Sequence, residues 1–278
     1  MTNKVYDVIT SKILESLDQG TVPWRKPWTA GIPRNATTDR PYHGINTVLL
    51  GMTAYADQRW LTYKQAVQLG GNVHRGERST MVVFWKQHTV KDEHDEESTR
   101  TIPLLRVYNV FNVAQCDNLT LSGIPDTPTV EPIAAATAIV DGMPNPPSIN
   151  HDGGNRAFYR PSNDSIHMPA VNDFHGAGEY HATLFHELSH STGHATRLDR
   201  HDLETGIAPF GSEVYSREEL VAEFGAAFLC ATAGIDNTLD NSASYINGWS
   251  KALRADKRLV ITAASQGQNA ADFIIGGE

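Results

Sequence analysis

Residues 184–194 read Leu-Phe-His-Glu-Leu-Ser-His-Ser-Thr-Gly-His. For His186 and His190 to act together, this stretch has to be a helix. At 3.6 residues per turn, positions four apart share one face and lie about 6 Å apart along the axis. Leu184, Phe185 and Leu188 supply an apolar side for packing, and Gly193 can end the helix. Two neutral imidazoles, His186 and His190, can then take two corners of a zinc tetrahedron. Glu187, beside the first of them, comes within reach of a water activated by the ion. It is the expected general base for attack on a carbonyl.

The third ligand sets the subclass. A histidine at position 196 would give the metzincin arrangement, but Thr196 stands there. A glutamate on a following helix is the alternative, and Ser216–Cys230 (SREELVAEFGAAFLC) provides Glu219 and Glu223 on one face. Glu219 is the favoured ligand and Glu223 a partner that orients a histidine. Against this, Ser216 and Glu219 also have capping-box spacing, which would make Glu219 a helix cap. His194, one turn beyond His190, is a candidate for polarising the substrate oxygen, for bonding behind the ligands, or for capping the helix. Tyr215 is a second candidate for the oxyanion. Zinc is the default ion for two histidines and one carboxylate, with Mn²⁺ as the alternative.

The rest of the chain predicts an α+β protein of two domains. Helices are expected over 5–17 and 44–58. A capping box of Thr62 and Gln65 opens a short helix that stops at Gly70-Gly71, and strands over 80–90 and 101–111 form a hairpin with an acidic tip. The Pro-rich run Ile124–Pro132 marks the boundary, giving an N-terminal domain 1–125, a linker 126–132 and a C-terminal domain 133–278. In the second part, short strands over 149–168 precede helices over 179–192, 217–233, 242–257 and 259–273. The segment Asp164–Pro169 reads as a strand before the histidine helix. It is expected either to receive substrate as an added strand or to serve in ordinary sheet pairing.

Charge divides the same way. Residues 1–91 carry 12 Lys/Arg against 6 Asp/Glu, whereas residues 126–278 carry 9 against 20. A basic first part suits a polyanion. Its cations interleave with aromatic and amide side chains: Trp24, Arg25, Lys26, Trp28, Arg34, Asn35, Arg40, Tyr42, Asn46, Lys64, Arg75 and Lys86. Cations for phosphates and ring faces for unstacked bases are what single-stranded nucleic acid requires. No helix-turn-helix, zinc-finger or RNP pattern supports duplex or RRM-type readout. Two distant cysteines, no signal pattern and no apolar run of about 18 residues predict a cytoplasmic protein without disulfides or a membrane span. A monomer is the default.

The run GTVPWRKPW…PRNATTDRPYHGIN…RWLTYKQAVQLGGNVHRGERSTMVVFWK, followed by LFHELSHSTGHATRLDR and REELVAEFGAAFL, resembles the plasmid antirestriction proteins of the ArdC type and the N-terminal domain of TraC-type conjugative primases. That resemblance implies a single-stranded-DNA-binding N-terminal domain, a zincin-like metallopeptidase C-terminal domain, and protection of incoming DNA from restriction during conjugation. A component of a host restriction–modification system is the implied substrate or target. The second helix is also similar to the ExxA(N) pattern of ImmA/IrrE-type metallopeptidases. Glu219 and Ala222 match it, Glu219 carrying over as metal ligand, while Glu223 stands where Asn is usual. The competing expectation is a protein that shields single strands without hydrolysis, its metal site structural or vestigial.

Overall fold

The computed structural model describes residues 2–25, 31–53, 55–92, 95–121, 131–200, 213–235 and 243–277. Its first helix, α1 (Thr2–Asp18), buries Ile9, Ile13 and Leu17, the four-residue spacing read from the sequence. Gly20, at φ 74°, turns the chain out of it. A single 3-10 turn, Pro23–Arg25, follows and carries Trp24 inward. After β1 (Arg34–Asn35) comes α2 (Ile45–Gly51), buried on every side.

The sequence predicts that α2 runs on to Gln58, but it stops at Gly51. The Thr53 hydroxyl bonds back to the Leu50 carbonyl. Asp57 accepts from the Arg59 backbone and pairs with its guanidinium, which commits that stretch to β2 (Arg59–Leu61). The Thr62–Gln65 capping box forms as expected and opens α3 (Tyr63–Gln68), after which Gly70 turns at φ 80°. β3 (Asn72–Val73) pairs with β6 (Cys116–Asp117). Between them lies the long hairpin of β4 (Thr80–Asp92) and β5 (Asp95–Asn112), with Thr80 opposite Val110 and Phe84 opposite Arg106. The first sheet has the order β1-β2-β5-β4. Glu93, at the acidic tip, and residues 126–130 of the expected linker 126–132 lie outside the described residues.

The second part opens with α4 (Pro132–Gly142), capped by the Glu131 carboxylate on the Ala134 N–H. Three short strands, β7 (Ser148–Asn150), β8 (Phe158–Arg160) and β9 (Ser165–His167), form a sheet of order β7-β9-β8. β9 is therefore central and paired on both sides. Of the two expectations for this segment, ordinary pairing holds, and substrate addition at β9 has no free edge to use. Four helices complete the chain: α5 (Ala177–Ser191), α6 (Glu213–Ala233), α7 (Ala243–Ala255) and α8 (Leu259–Ile275). No helix among the described residues is long and apolar enough to cross a membrane. Both cysteines are free.

α6 lies at the centre of this helical layer, with Leu220, Val221, Phe224, Ala227 and Phe228 buried against its neighbours. α8 approaches it through Gly267. A Cβ there would stand 2.9 Å from both the Gly225 nitrogen and the Val221 carbonyl oxygen. The nearest atom, Phe224 Cβ at 2.6 Å, is fixed to the same α6 backbone and cannot swing away. Gly267→Ala is therefore expected to cost about 1–3 kcal/mol, read as a lower denaturation midpoint at unchanged slope.

The two halves share one buried cluster. Ile9, Ile13 and Leu17 of α1 belong to the same cluster as Trp249 and Leu253 of α7. The Trp24 ring sits 4.7 Å from Phe224 and 5.5 Å from Trp249. The first part is thus packed onto the helices that carry the candidate metal site.

Candidate metal centre and nucleic-acid face

α5 brings His186 and His190 together with their Nε2 atoms 3.1 Å apart. α6 adds Glu219, whose Oε2 lies 3.6 Å from His186 Nε2 and whose Oε1 lies 3.5 Å from His190 Nε2. Bonds of about 2.0–2.1 Å in a tetrahedron require donor atoms about 3.3–3.4 Å apart. The two imidazoles are close to that spacing and Glu219 meets each with a different oxygen, so the three residues converge as a divalent ion requires. Among the described residues they are also the one group of such donors that converges. α6 begins three residues ahead of Ser216, so Ser216 is inside the helix and cannot cap it. The competing reading of Glu219 as a helix cap is thereby removed.

Each imidazole is backed by a carboxylate, and each carboxylate is held by an arginine. Behind His190, Glu218 Oε1 lies 3.4 Å from Nδ1. The Arg200 guanidinium donates to both Glu218 oxygens, at 2.6 and 3.3 Å, and to the Ser189 carbonyl at the end of α5. Behind His186, Glu223 Oε1 lies 3.7 Å from Nδ1. That is too long for a hydrogen bond, and His186 Nδ1 is buried without a partner among the described residues. Glu223 is held by Arg25, through Nε and Nη2 at 3.3 Å, and by the Trp24 indole N–H at 3.4 Å.

Burial alone would lower both imidazole pKa values. The Glu219 carboxylate overcomes it at His186, and Glu218 with Glu219 overcomes it more strongly at His190, so both are raised. Burial likewise pushes the Glu219 carboxyl up, and the two imidazoles outweigh it and hold it well below the carboxylate range. A metal must displace the proton so stabilised. Metal affinity is therefore expected to weaken as pH falls through the raised imidazole values, a decline that begins above the ordinary histidine value of about 6.5. The slope should reach about tenfold per pH unit for each proton released, measured by chelator competition. In the metal-free chain the sign reverses. A raised imidazole pKa contributes stability below the unfolded value of about 6.5, and that stability is lost as pH rises through the folded value.

Glu187 is 7% exposed. Among the described residues its carboxylate makes no hydrogen bond or ion pair, yet its charge is felt at both imidazoles. His194 has its Nδ1 engaged locally. Its Nδ1 bonds the Thr196 hydroxyl at 2.9 Å and accepts the Thr196 N–H at 3.3 Å, within the turn that ends α5. The Tyr215 side chain lies outside the described residues. Nearby, Ser165, His167 and Asp152 line up in the manner of a nucleophilic triad, at 2.9 and 2.6 Å. However, Ser165 is 2% exposed and its hydroxyl donates to Asn163, so this is a tie between β9 and its loop.

The residues expected to contact single strands separate into groups. Arg40, Lys64, Arg75 and Lys86 are exposed, and Arg34 is half-exposed and paired with Asp39. Lys26 and Trp28 lie outside the described residues. Five others are corrected. Trp24 is 0% exposed and wedged between Phe224 and Trp249, so it offers no ring face to a base. Arg25 is spent on Glu223. Tyr42 and Asn46 are buried, the Asn46 amide bonding both backbone groups of Val83. Asn35 turns its side-chain oxygen back onto the N–H groups of Thr37 and Thr38.

Apart from Tyr63 on α3, the exposed aromatic residues among those described lie on the hairpin. Phe84 and Tyr108 are 46% and 45% exposed, with their rings 5.6 Å apart. Arg106 stands opposite Phe84, and Lys86 lies two residues along the same face. The buried Tyr42 ring supports Phe84 from beneath at 6.3 Å.

Residues 3–111 match the family described as the N-terminal domain of anti-restriction factor ArdC, and residues 142–266 match the zincin-like metallopeptidase family. The crystal structure of the metal-free antirestriction ArdC protein from the R388 plasmid superposes with a TM-score of 0.80 at 38% identity, covering 97% of this chain and 96% of that one. The chain belongs to the ArdC family. The Mn(II)-bound form of the same R388 ArdC protein superposes with a TM-score of 0.76. Two DNA primases TraC from Escherichia coli are 36% identical over 98% of this chain, which spans only 27% and 20% of their lengths. The uncharacterized protein y4eC of Sinorhizobium fredii is 36% identical over 91% of its length.

The zincin-like domain implies a metal. The residues that sequence reasoning missed are those that act through others. Glu218 was hidden beside Glu219 in an ordinary helical sequence, and Arg200 in the turn after α5 carried no motif. On the hairpin, Arg106 and Tyr108 could have been found by pairing the two strands and reading which side chains face outward.

Proposed function

We propose that this ArdC-family chain is an antirestriction protein that binds single-stranded DNA through its first 125 residues and hydrolyses a protein at a metal centre in residues 133–278. The reading that it protects incoming plasmid DNA in the recipient cytoplasm during conjugation, as a monomer, rests on the same resemblance. The observation that carries the enzymatic part is the placement of Glu187. It is a sheltered carboxylate, unpartnered among the described residues, next to three residues whose donor atoms converge as a divalent ion requires, and a structural metal site has no use for it.

His186, His190 and Glu219 would hold the ion, zinc by donor chemistry or Mn²⁺. When bound, such an ion lowers the pKa of water and polarises a carbonyl oxygen. Glu187 takes the proton of the attacking water and returns it to the leaving amine. Glu218 and Arg200 keep His190 turned inward, and Glu223 stands behind His186. The DNA-binding part is supported by the Phe84–Tyr108 ring pair flanked by Arg106 and Lys86, a mix suited to unstacked bases and their phosphates.

The test is plasmid transfer into a restricting host that carries either the native protein or Glu187→Gln, the two matched for single-strand binding in vitro. Lost protection supports hydrolysis, with a component of the restriction system as the first substrate to examine. Equal protection would leave DNA shielding as the function and sink the enzymatic reading.

A further inference from the structure

We infer that Arg25, from the N-terminal part of the chain, is a positioning residue of the metal centre, so that the site on α5 and α6 is incomplete without the DNA-binding module. The inference rests on the reading of His186, His190 and Glu219 as metal ligands.

The argument begins with an imbalance. His186 and His190 are equivalent within α5, and their Nε2 atoms converge on Glu219. A neutral imidazole that gives Nε2 to a metal carries its proton on Nδ1 and needs an acceptor there. For His190 that acceptor is Glu218, which sits next to Glu219 on α6 and is clamped by Arg200 from the turn after α5. Every member of this set comes from the second half of the chain. For His186 the one carboxylate facing Nδ1 is Glu223, at 3.7 Å. Its clamp comes from 198 residues away in sequence.

The Glu223 carboxylate is almost wholly buried, at 4% side-chain exposure. A buried carboxylate without a cation is strongly disfavoured, and removing its partner leaves an uncompensated charge. Arg25 is the cation that meets it, reaching both oxygens through Nε and Nη2. The Trp24 N–H adds a third donor to the same carboxylate, with its ring locked between Phe224 and Trp249. The 3-10 turn Pro23–Arg25 is thus a plug from the first module. Its two side chains fix where Glu223 can stand, and Glu223 is what His186 can bond when Nε2 is engaged. A displacement of under about 1 Å brings Glu223 Oε1 within hydrogen-bond distance of Nδ1.

Sequence reasoning places Arg25 among the phosphate contacts because it lies in a basic, aromatic loop. The fold uses it at the other end of the molecule's chemistry.

The experiment is metal affinity of the full-length chain, measured by competition with a chromophoric chelator for Zn²⁺ and for Mn²⁺. The variants are Arg25→Ala, Arg25→Lys, Glu223→Gln, the double variant Arg25→Ala/Glu223→Gln, and Glu219→Ala as the control for the site itself. Glu219→Ala should abolish tight binding, and failure there would overturn the ligand assignment rather than the role of Arg25. Arg25→Ala is expected to weaken affinity about tenfold or more, the usual range for a residue behind a ligand being about 10–100-fold. Arg25→Lys should restore part of that loss. The double variant should bind no more weakly than Glu223→Gln alone, since Arg25 acts only through that carboxylate. Wild-type affinity in Arg25→Ala, or losses that simply add in the double variant, would overturn the inference and leave Arg25 as a packing contact between modules.

Discussion

Glu187→Gln is expected to lower peptidase turnover by about 10²–10⁴-fold, the range for removing a positioned general base, while the metal stays bound. The amide keeps the shape of the carboxylate but cannot accept the proton of an attacking water. None of the three donor atoms belongs to Glu187, so metal content is expected to remain at one equivalent or the wild-type level. Both imidazoles lose a nearby negative charge, so their pKa values fall and protons compete less for the site. The same charge also attracts a divalent ion, so metal affinity near neutral pH should on balance hold or fall modestly. Activity is read on a denatured protein or peptide library, and metal content by elemental analysis after dialysis. Loss of metal in this variant would mean that Glu187 is itself a ligand and that the roles of Glu187 and Glu219 are misassigned.

The double substitution Phe84→Ala/Tyr108→Ala is expected to cut single-strand affinity by about 30- to 10⁴-fold, because each base–aromatic stack is worth about 1–3 kcal/mol. Both rings stand in solvent on one face of the β4–β5 hairpin, so truncating them opens no cavity and should leave the fold intact. Trp24→Phe is the informative contrast. That ring is in the core and its N–H bonds Glu223, so the change should lower stability and disturb the metal site, with no stacking contact to lose. Lys86→Ala and Arg106→Ala should each reduce the slope of log affinity against log salt by roughly 0.7, the value for one phosphate contact on a single strand. Fluorescence anisotropy with a labelled oligonucleotide across a salt series separates these outcomes. Unchanged binding in the double variant would move the interface off the hairpin, to the exposed Arg40, Lys64 and Arg75.

The two sites differ in how much of them is written locally. The histidine pair is a property of one helix, so spacing alone places His186 and His190 on one face. The same holds for Ile9, Ile13 and Leu17, for the Thr62–Gln65 cap, and for the pairing of two strands joined by a polar tip. Glu219 was legible as a face-sharing residue of the next helix, but its competition with a cap at Ser216 was not resolvable until the start of α6 was known. α2 shows the limit from the other side. An apolar run over 44–58 reads as one helix, yet the bonds of Thr53 and Asp57 end it at Gly51.

Short-range order was thus determined by the sequence itself, because helical and strand periodicity, caps and turns depend on residues within a few positions of one another. That includes the reactive centre of the candidate site, a His-Glu-x-x-His helix. What only the tertiary structure decided are the contacts between elements distant in the chain. Examples are Arg25 and Trp24 on Glu223, Arg200 on Glu218, the close approach of Gly267 to α6, and which aromatic rings are core and which face water. Tryptophan and arginine carry no periodic signature in a loop. Whether Trp24 stacks on a base or fills a core, and whether Arg25 meets a phosphate or a buried carboxylate, depends on which apolar surface and which charge the fold brings against them. Burying the Trp24 ring between Phe224 and Trp249 settled the first question and carried Arg25 to Glu223 with it.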